Sequence, residues 1–156
     1  MMPDYQARLR ALATEKALAI AAYGESVAAY RYRTLGEKTS SHEQRKIFTE
    51  MADEEQGHHQ RLQALLRRRF PGSDFVLSSE DKELVTVGPR MLEVTDSESF
   101  RRAMELIHDS ELQTGRFYAG LYESTEYDDL KSFLKEMADE CFEHAERLRQ
   151  IHPLPQ

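Results

Sequence analysis

Cysteine occurs once in the 156 residues, at Cys141, so no disulfide forms within the chain and no four-cysteine zinc or iron centre can be built from it. A reducing cytoplasm is the expected compartment. Glycine (7) and proline (5) are scarce and β-branched runs are few, which favours helix over strand. Basic charge is outnumbered: 21 Lys and Arg stand against 28 Asp and Glu, for a net charge of −7. That balance repels a nucleic-acid backbone, so nucleic acid is set aside as the main partner and cations are favoured. The basic clusters Arg67-Arg68-Arg69 and Arg101-Arg102 fall near expected helix ends, where they lean on carbonyls or stay solvated. Long hydrophobic runs are also missing. The most apolar stretch, Ala17 to Tyr23, is far short of the roughly 20 residues that cross a bilayer. Met1 to Leu12 carries Asp4, Arg8 and Arg10 and has no apolar signal core, so a soluble protein with no membrane partner is expected.

What the chain does have is helical periodicity over most of its length, enough for one all-α domain spanning residues 1–156. Leu9, Leu12, Leu18, Val27 and Leu35 mark a first helix from Asp4 to about Leu35, opened by Pro3 and closed by Gly36. Capping boxes at Ser40 with Glu43 and at Ser41 with Gln44 open a second helix, which ends at Pro71-Gly72. Residues 70–95 read as an extended connector. Thr95 with Glu98 offers a third capping box before a helix through Ile107 and Leu121, and a turn at Ser124 to Tyr127 leads to a fourth that runs to Pro153. Short links make hairpins of about 4–70 and 96–152, each antiparallel. The long 70–95 link suffices to cross the length of a bundle, giving a four-helix bundle with one crossover.

The second hairpin echoes the first. Shifted by 86 positions without a gap, Glu25 becomes Glu111, Tyr32 becomes Tyr118, and His58 becomes His144. The run Met51-Ala52-Asp53-Glu54 returns as Met137-Ala138-Asp139-Glu140, while among Glu25, Glu55 and His58 only Glu55 changes, to Cys141. Two similar structural units with a symmetric site between them are implied.

Glu55 and His58 lie three apart, so their side chains leave one helix face from adjacent turns and can meet a common ion. Antiparallel pairing brings Glu25 to a similar depth. Several carboxylates buried together repel strongly unless cations neutralise them. Mixed carboxylate and imidazole donors suit iron or manganese, with zinc also compatible, and the ligand count implies two ions. Glu54 and Glu140 compete for the same role, since each lies four before a histidine, a spacing that also brings side chains together. Cys141 reads either as a small buried apolar residue or as a thiolate ligand beside the metals. His108, three before Glu111, reads as a second-layer or surface residue, and His42, His59 and His152 as surface residues. Tyr32 and Tyr118 read as core residues whose hydroxyls orient the ligands.

In these residues the chain resembles the rubrerythrin-type di-iron carboxylate bundles of the ferritin-like superfamily. That layout places one glutamate on each of two helices and a Glu-x-x-His on each of the other two. Glu25, Glu55-Gln56-Gly57-His58 and Glu111 match it. Cys141-Phe142-Glu143-His144 departs from it, and there Glu140 is the alternative ligand. The resemblance implies a metal set of Glu25, Glu55, His58, Glu111, Cys141 and His144 holding two irons. It further implies non-haem redox chemistry, foremost reduction of hydrogen peroxide, with dioxygen as the other oxidant. A ferroxidase or iron-handling role uses the same residues, and a bundle with a degenerate, non-catalytic metal site at Cys141 is the remaining reading. Relatives often carry a rubredoxin module with two Cys-x-x-Cys pairs, which this sequence lacks, so a separate electron donor is expected. A homodimer is expected too.

Overall fold

The computed structural model describes residues 4–152, which form helices and connecting loops without a strand among them. Pro3 and Pro153, two expected helix boundaries, lie outside the described residues. The first expected helix is in fact two, α1 (Tyr5–Ala11) and α2 (Thr14–Lys38), parted where Leu12 and Ala13 turn extended with ψ of 133° and 143°. Packing explains the break. Leu9 is buried against α5 (Ser97–Ser124) at Gly120, where an added Cβ would lie 2.3 Å from Leu9 Cδ1, and Gln6 Nε2 donates to the Gly120 carbonyl at 3.3 Å. Docking α1 across α5 thus overrides local helix propensity.

Gly36 does not end α2. It sits buried in the last turns, facing Phe48, and the helix closes two residues later, where Arg45 donates to the carbonyls of Gly36 and Thr39. Of the two candidate capping boxes, Ser41 with Gln44 opens α3 (His42–Arg69), with the Ser41 hydroxyl accepting from the Gln44 N–H. Gly72 turns the chain at φ of 82°.

The crossover is not wholly extended. It contains α4 (Ser79–Glu83), opened by a reciprocal Ser78–Asp81 box. The cap of α5 (Ser97–Ser124) also differs from expectation: Asp96 pairs with Ser99, one residue later than Thr95 with Glu98. Aspartate accepts the orphan N–H more strongly than threonine does, which decides the register. A 3₁₀ turn at Asp128–Leu130 leads into α6 (Lys131–Ile151).

α2 pairs with α3 and α5 with α6, while α2 also meets α5. The apolar interior is split into two clusters. One gathers Leu9, Leu18, Leu62, Phe117, Leu134 and Met137; the other gathers Tyr32, Phe48, Met51, Met104, Ile107 and Leu148. Between them sits a layer of buried polar side chains. No helix of the described residues is long and apolar enough to cross a membrane.

Candidate metal centre

Glu25 on α2, Glu55 and His58 on α3, Glu111 on α5 and His144 on α6 are all buried, none more than 7% exposed. Their ligand atoms form two triads, Glu25–Glu55–His58 and Glu55–Glu111–His144, each with all donor atoms within 4.8 Å of one another. Glu55 belongs to both. The structure thus brings five of the six expected ligands together.

The sixth, Cys141, belongs to neither triad. It packs with the Leu134 and Met137 cluster, and burial together with the charges of Glu111, Glu25 and Glu55 pushes its thiol well above the usual range.

Both imidazoles turn Nδ1 toward the carboxylates and Nε2 away. Nδ1 of His144 donates to Glu111 Oε2 at 3.1 Å and lies 3.5 Å from Glu55 Oε1, while Nε2 donates to Glu54 at 3.0 Å. Nδ1 of His58 lies 3.2 Å from Glu55 Oε1 and 3.8 Å from Glu25 Oε2, yet completes no hydrogen bond. Its Nε2 stands 2.9 Å from Glu140 Oε2, a mirror of the His144–Glu54 contact in distance but not in angle, since that oxygen also goes unpartnered.

Glu54 and Glu140 therefore face the outer nitrogens of the histidines from the opposite hairpin, and both are partly exposed, at 48% and 39%. An acid on Nε2 fixes the tautomer that leaves the Nδ1 lone pair for a cation. Arg147 in turn holds Glu54 at 3.3 Å.

Two tyrosines cross-link the halves. The Tyr32 hydroxyl donates to Glu111 Oε2 at 2.6 Å and the Tyr118 hydroxyl to Glu25 Oε1 at 2.8 Å. Burial and the neighbouring carboxylates raise both phenols well above their ordinary value, so they remain donors.

Glu55, at the middle, pays most for this crowding. Burial, then the charges of Glu111 and Glu25, raise its carboxyl well above the usual range, with His144 opposing. Burial would lower His144, but its hydrogen bond to Glu111 and the charges of Glu111, Glu55 and Glu54 outweigh it and lift the value to about 10. Burial likewise opposes the rise at His58, and Glu25 and Glu140 overcome it. Protons thus stand in for missing positive charge. An orphaned imidazole nitrogen aimed at carboxylates, and an acid that ionises reluctantly for want of a counter-charge, fit a site built for cations. The donors suit iron, manganese or zinc.

The other histidines stand aside. His42 is exposed, and His108 is partly buried and 3.5 Å from Asp109, outside both triads. His59 is not a plain surface residue: it is half-buried, with Nδ1 2.8 Å from the Ala22 carbonyl. Arg31, which no motif in the sequence singles out, is buried on α2 and contacts Ser110 and the crossover. Its one signal is a charged residue on an otherwise apolar stripe, at a position whose repeat mate is Phe117.

An all-helical bundle with a buried centre of carboxylates and imidazoles drawn from four helices defines a ferritin-like protein. The Rubrerythrin family model matches residues 16–152, and the chain belongs to that family. A solved structure, the hypothetical protein Pfu-1136390-001 from Pyrococcus furiosus, shares the fold with a TM-score of 0.77. The two are 23% identical, over 90% of this chain and 89% of that one. Comparison with curated proteins gave no match.

Proposed function

We propose that the chain is a di-iron protein that reduces hydrogen peroxide to water, with Glu25, Glu55, His58, Glu111 and His144 as ligands. The observation that carries this reading is the pair of triads joined at Glu55, which offers two adjacent cation positions with a common carboxylate. Iron at these positions supplies one-electron redox steps that the side chains themselves lack. The reaction consumes two electrons and two protons per peroxide and yields two waters; the electrons come from a separate donor.

The protein residues orient and balance charge. Glu54 hydrogen-bonds the outer nitrogen of His144 and Glu140 stands 2.9 Å from that of His58, and both rings turn Nδ1 inward. Tyr32 and Tyr118 each hydrogen-bond one oxygen of Glu111 and Glu25, which orients the two carboxylates. The apolar clusters on either side keep bulk water away.

A second reading, a metal-binding bundle without turnover, is favoured by one observation: Cys141 stands where the family pattern has a second shared glutamate, and it stays apart from the triads. Anaerobic ferrous loading separates the two. The peroxide reading expects two irons per chain, prompt oxidation by hydrogen peroxide, and repeated turnover with a reductant. At most one tightly held metal and no peroxide consumption overturn it.

A further inference from the structure

The crossover covers only one flank of the α2–α5 pair, and the residues beneath it break the repeat. Gly24, Ala28 and Arg31 on α2 have Ser110, Thr114 and Phe117 as their mates 86 positions on. Each departure serves the crossover. An added Cβ on Gly24 would lie 3.0 Å from the Val85 side chain, so glycine lets Val85 seat beside Glu25. Thr114 Oγ1 donates to the Val85 carbonyl at 2.8 Å, and Ser110 Oγ accepts from the Val87 N–H at 2.8 Å. Arg31 ties these together: Nη1 donates to Ser110 Oγ at 2.9 Å, and Nη2 to the carbonyls of Val87 at 2.9 Å and Pro89 at 2.5 Å.

Arg31 is 1% exposed, and its Nε has no partner. Burying a guanidinium is costly, and none of its hydrogen bonds goes to a carboxylate of the centre. Its cost is offset by Ser110 and by the segment it holds. That segment roofs a cleft lined by Gly24, Glu25, Arg31, Glu55, Val85 and Glu111, with room for about one water molecule.

We propose that Arg31 determines specificity at this centre: with Ser110 and Thr114 it fixes Val85–Pro89 as a rigid roof that passes hydrogen peroxide to the carboxylates and excludes bulky organic hydroperoxides. The choice of substrate rests on the peroxide-reducing reading; the size filter does not. Arg31→Met keeps most of the side-chain volume and removes the donors. Thr114→Val loosens the same roof more gently, and stands in should Arg31→Met fail to fold.

In metal-free protein, hydrogen exchange at the Val85 and Val87 amides rises about tenfold or more, as loss of a buried hydrogen bond requires, while α3 amides keep their protection. In iron-loaded protein, turnover of cumene hydroperoxide relative to hydrogen peroxide rises about tenfold, and EDTA strips loaded metal faster by a similar factor. Unchanged roof exchange in both variants overturns the proposal, as does a loosened roof with unchanged peroxide ratio and unchanged EDTA rate. If iron-loaded wild type turns over neither peroxide, the functional reading fails alone, and the EDTA rate decides the size filter.

Discussion

Hairpin α2–α3 sends Tyr32 to Glu111, and hairpin α5–α6 returns Tyr118 to Glu25. The first half sets Glu54 against His144, and the second sets Glu140 against His58. Each half thus completes the other's ligands rather than its own. Against that symmetry stand differences such as Glu55 against Cys141, Arg31 against Phe117, and Gly57 against Glu143. The paired contacts all support carboxylates and imidazoles, so they answer the electrostatic need of the centre. The unpaired ones follow surroundings that the repeat does not share, such as a crossover on one flank only.

The sharpest way to break the comparison is at its centre. Glu55→Ala removes a ligand from both triads, so metal binding falls by more than about a hundredfold, beyond the usual effect of losing an outer partner. Cys141→Ala leaves metal content unchanged. Metal per chain after anaerobic loading and desalting reads both, and equal losses in the two variants would restore Cys141 as a ligand. Next come the outer acids. Glu54→Gln and Glu140→Gln should each weaken metal binding about 10- to 100-fold, measured by competition with a chelator, and a markedly unequal pair would break the symmetry.

Acidity comes third. In metal-free protein His144, raised from 6.5 to about 10, contributes stability that is full below pH 6.5 and fades as the pH rises toward 10. Glu55, also raised, keeps its proton in the fold past the ordinary carboxylate range while the unfolded chain's carboxyl ionises, so its effect on stability falls with rising pH in the same direction. Cations replace those protons, so the gap in melting temperature between loaded and metal-free protein widens from about pH 5 to pH 8. A constant or shrinking gap would contradict this assignment. The smallest effect is at Gly57, where an added Cβ meets nothing within 4 Å. Gly57→Ala should stabilise by about 0.5–1 kcal/mol, raising the melting temperature a few degrees, because a glycine in mid-helix carries excess backbone entropy.

The helices and the clustering of carboxylates and imidazoles were legible because both leave periodic traces: spacings of three, four and seven along a helix, and 86 between halves. The break at Leu12 and Ala13 left none, since it depends on Leu9 meeting Gly120 across 111 positions. The roles of Glu54 and Glu55 also could not be ordered from spacing, because three and four are equivalent on an isolated helix. In the fold Glu54 is half exposed against His144 Nε2, while Glu55 is buried and shared by both triads. Arg31 was hidden for a similar reason, as its partners Val87 and Pro89 lie in a segment without periodicity.

The polar layer that divides the apolar interior has a further effect on how the chain holds together. Each cluster takes residues from both hairpins: Leu18 and Leu62 meet Phe117 and Met137 at one end, and Tyr32 and Met51 meet Met104 and Leu148 at the other. Neither hairpin encloses a core by itself, however complete its helices. The boundary that matters for unfolding therefore runs crosswise, between the ends of the bundle, and not along the seam of the duplication. Heating should release both hairpins in one transition, with the repeat invisible to the melting curve.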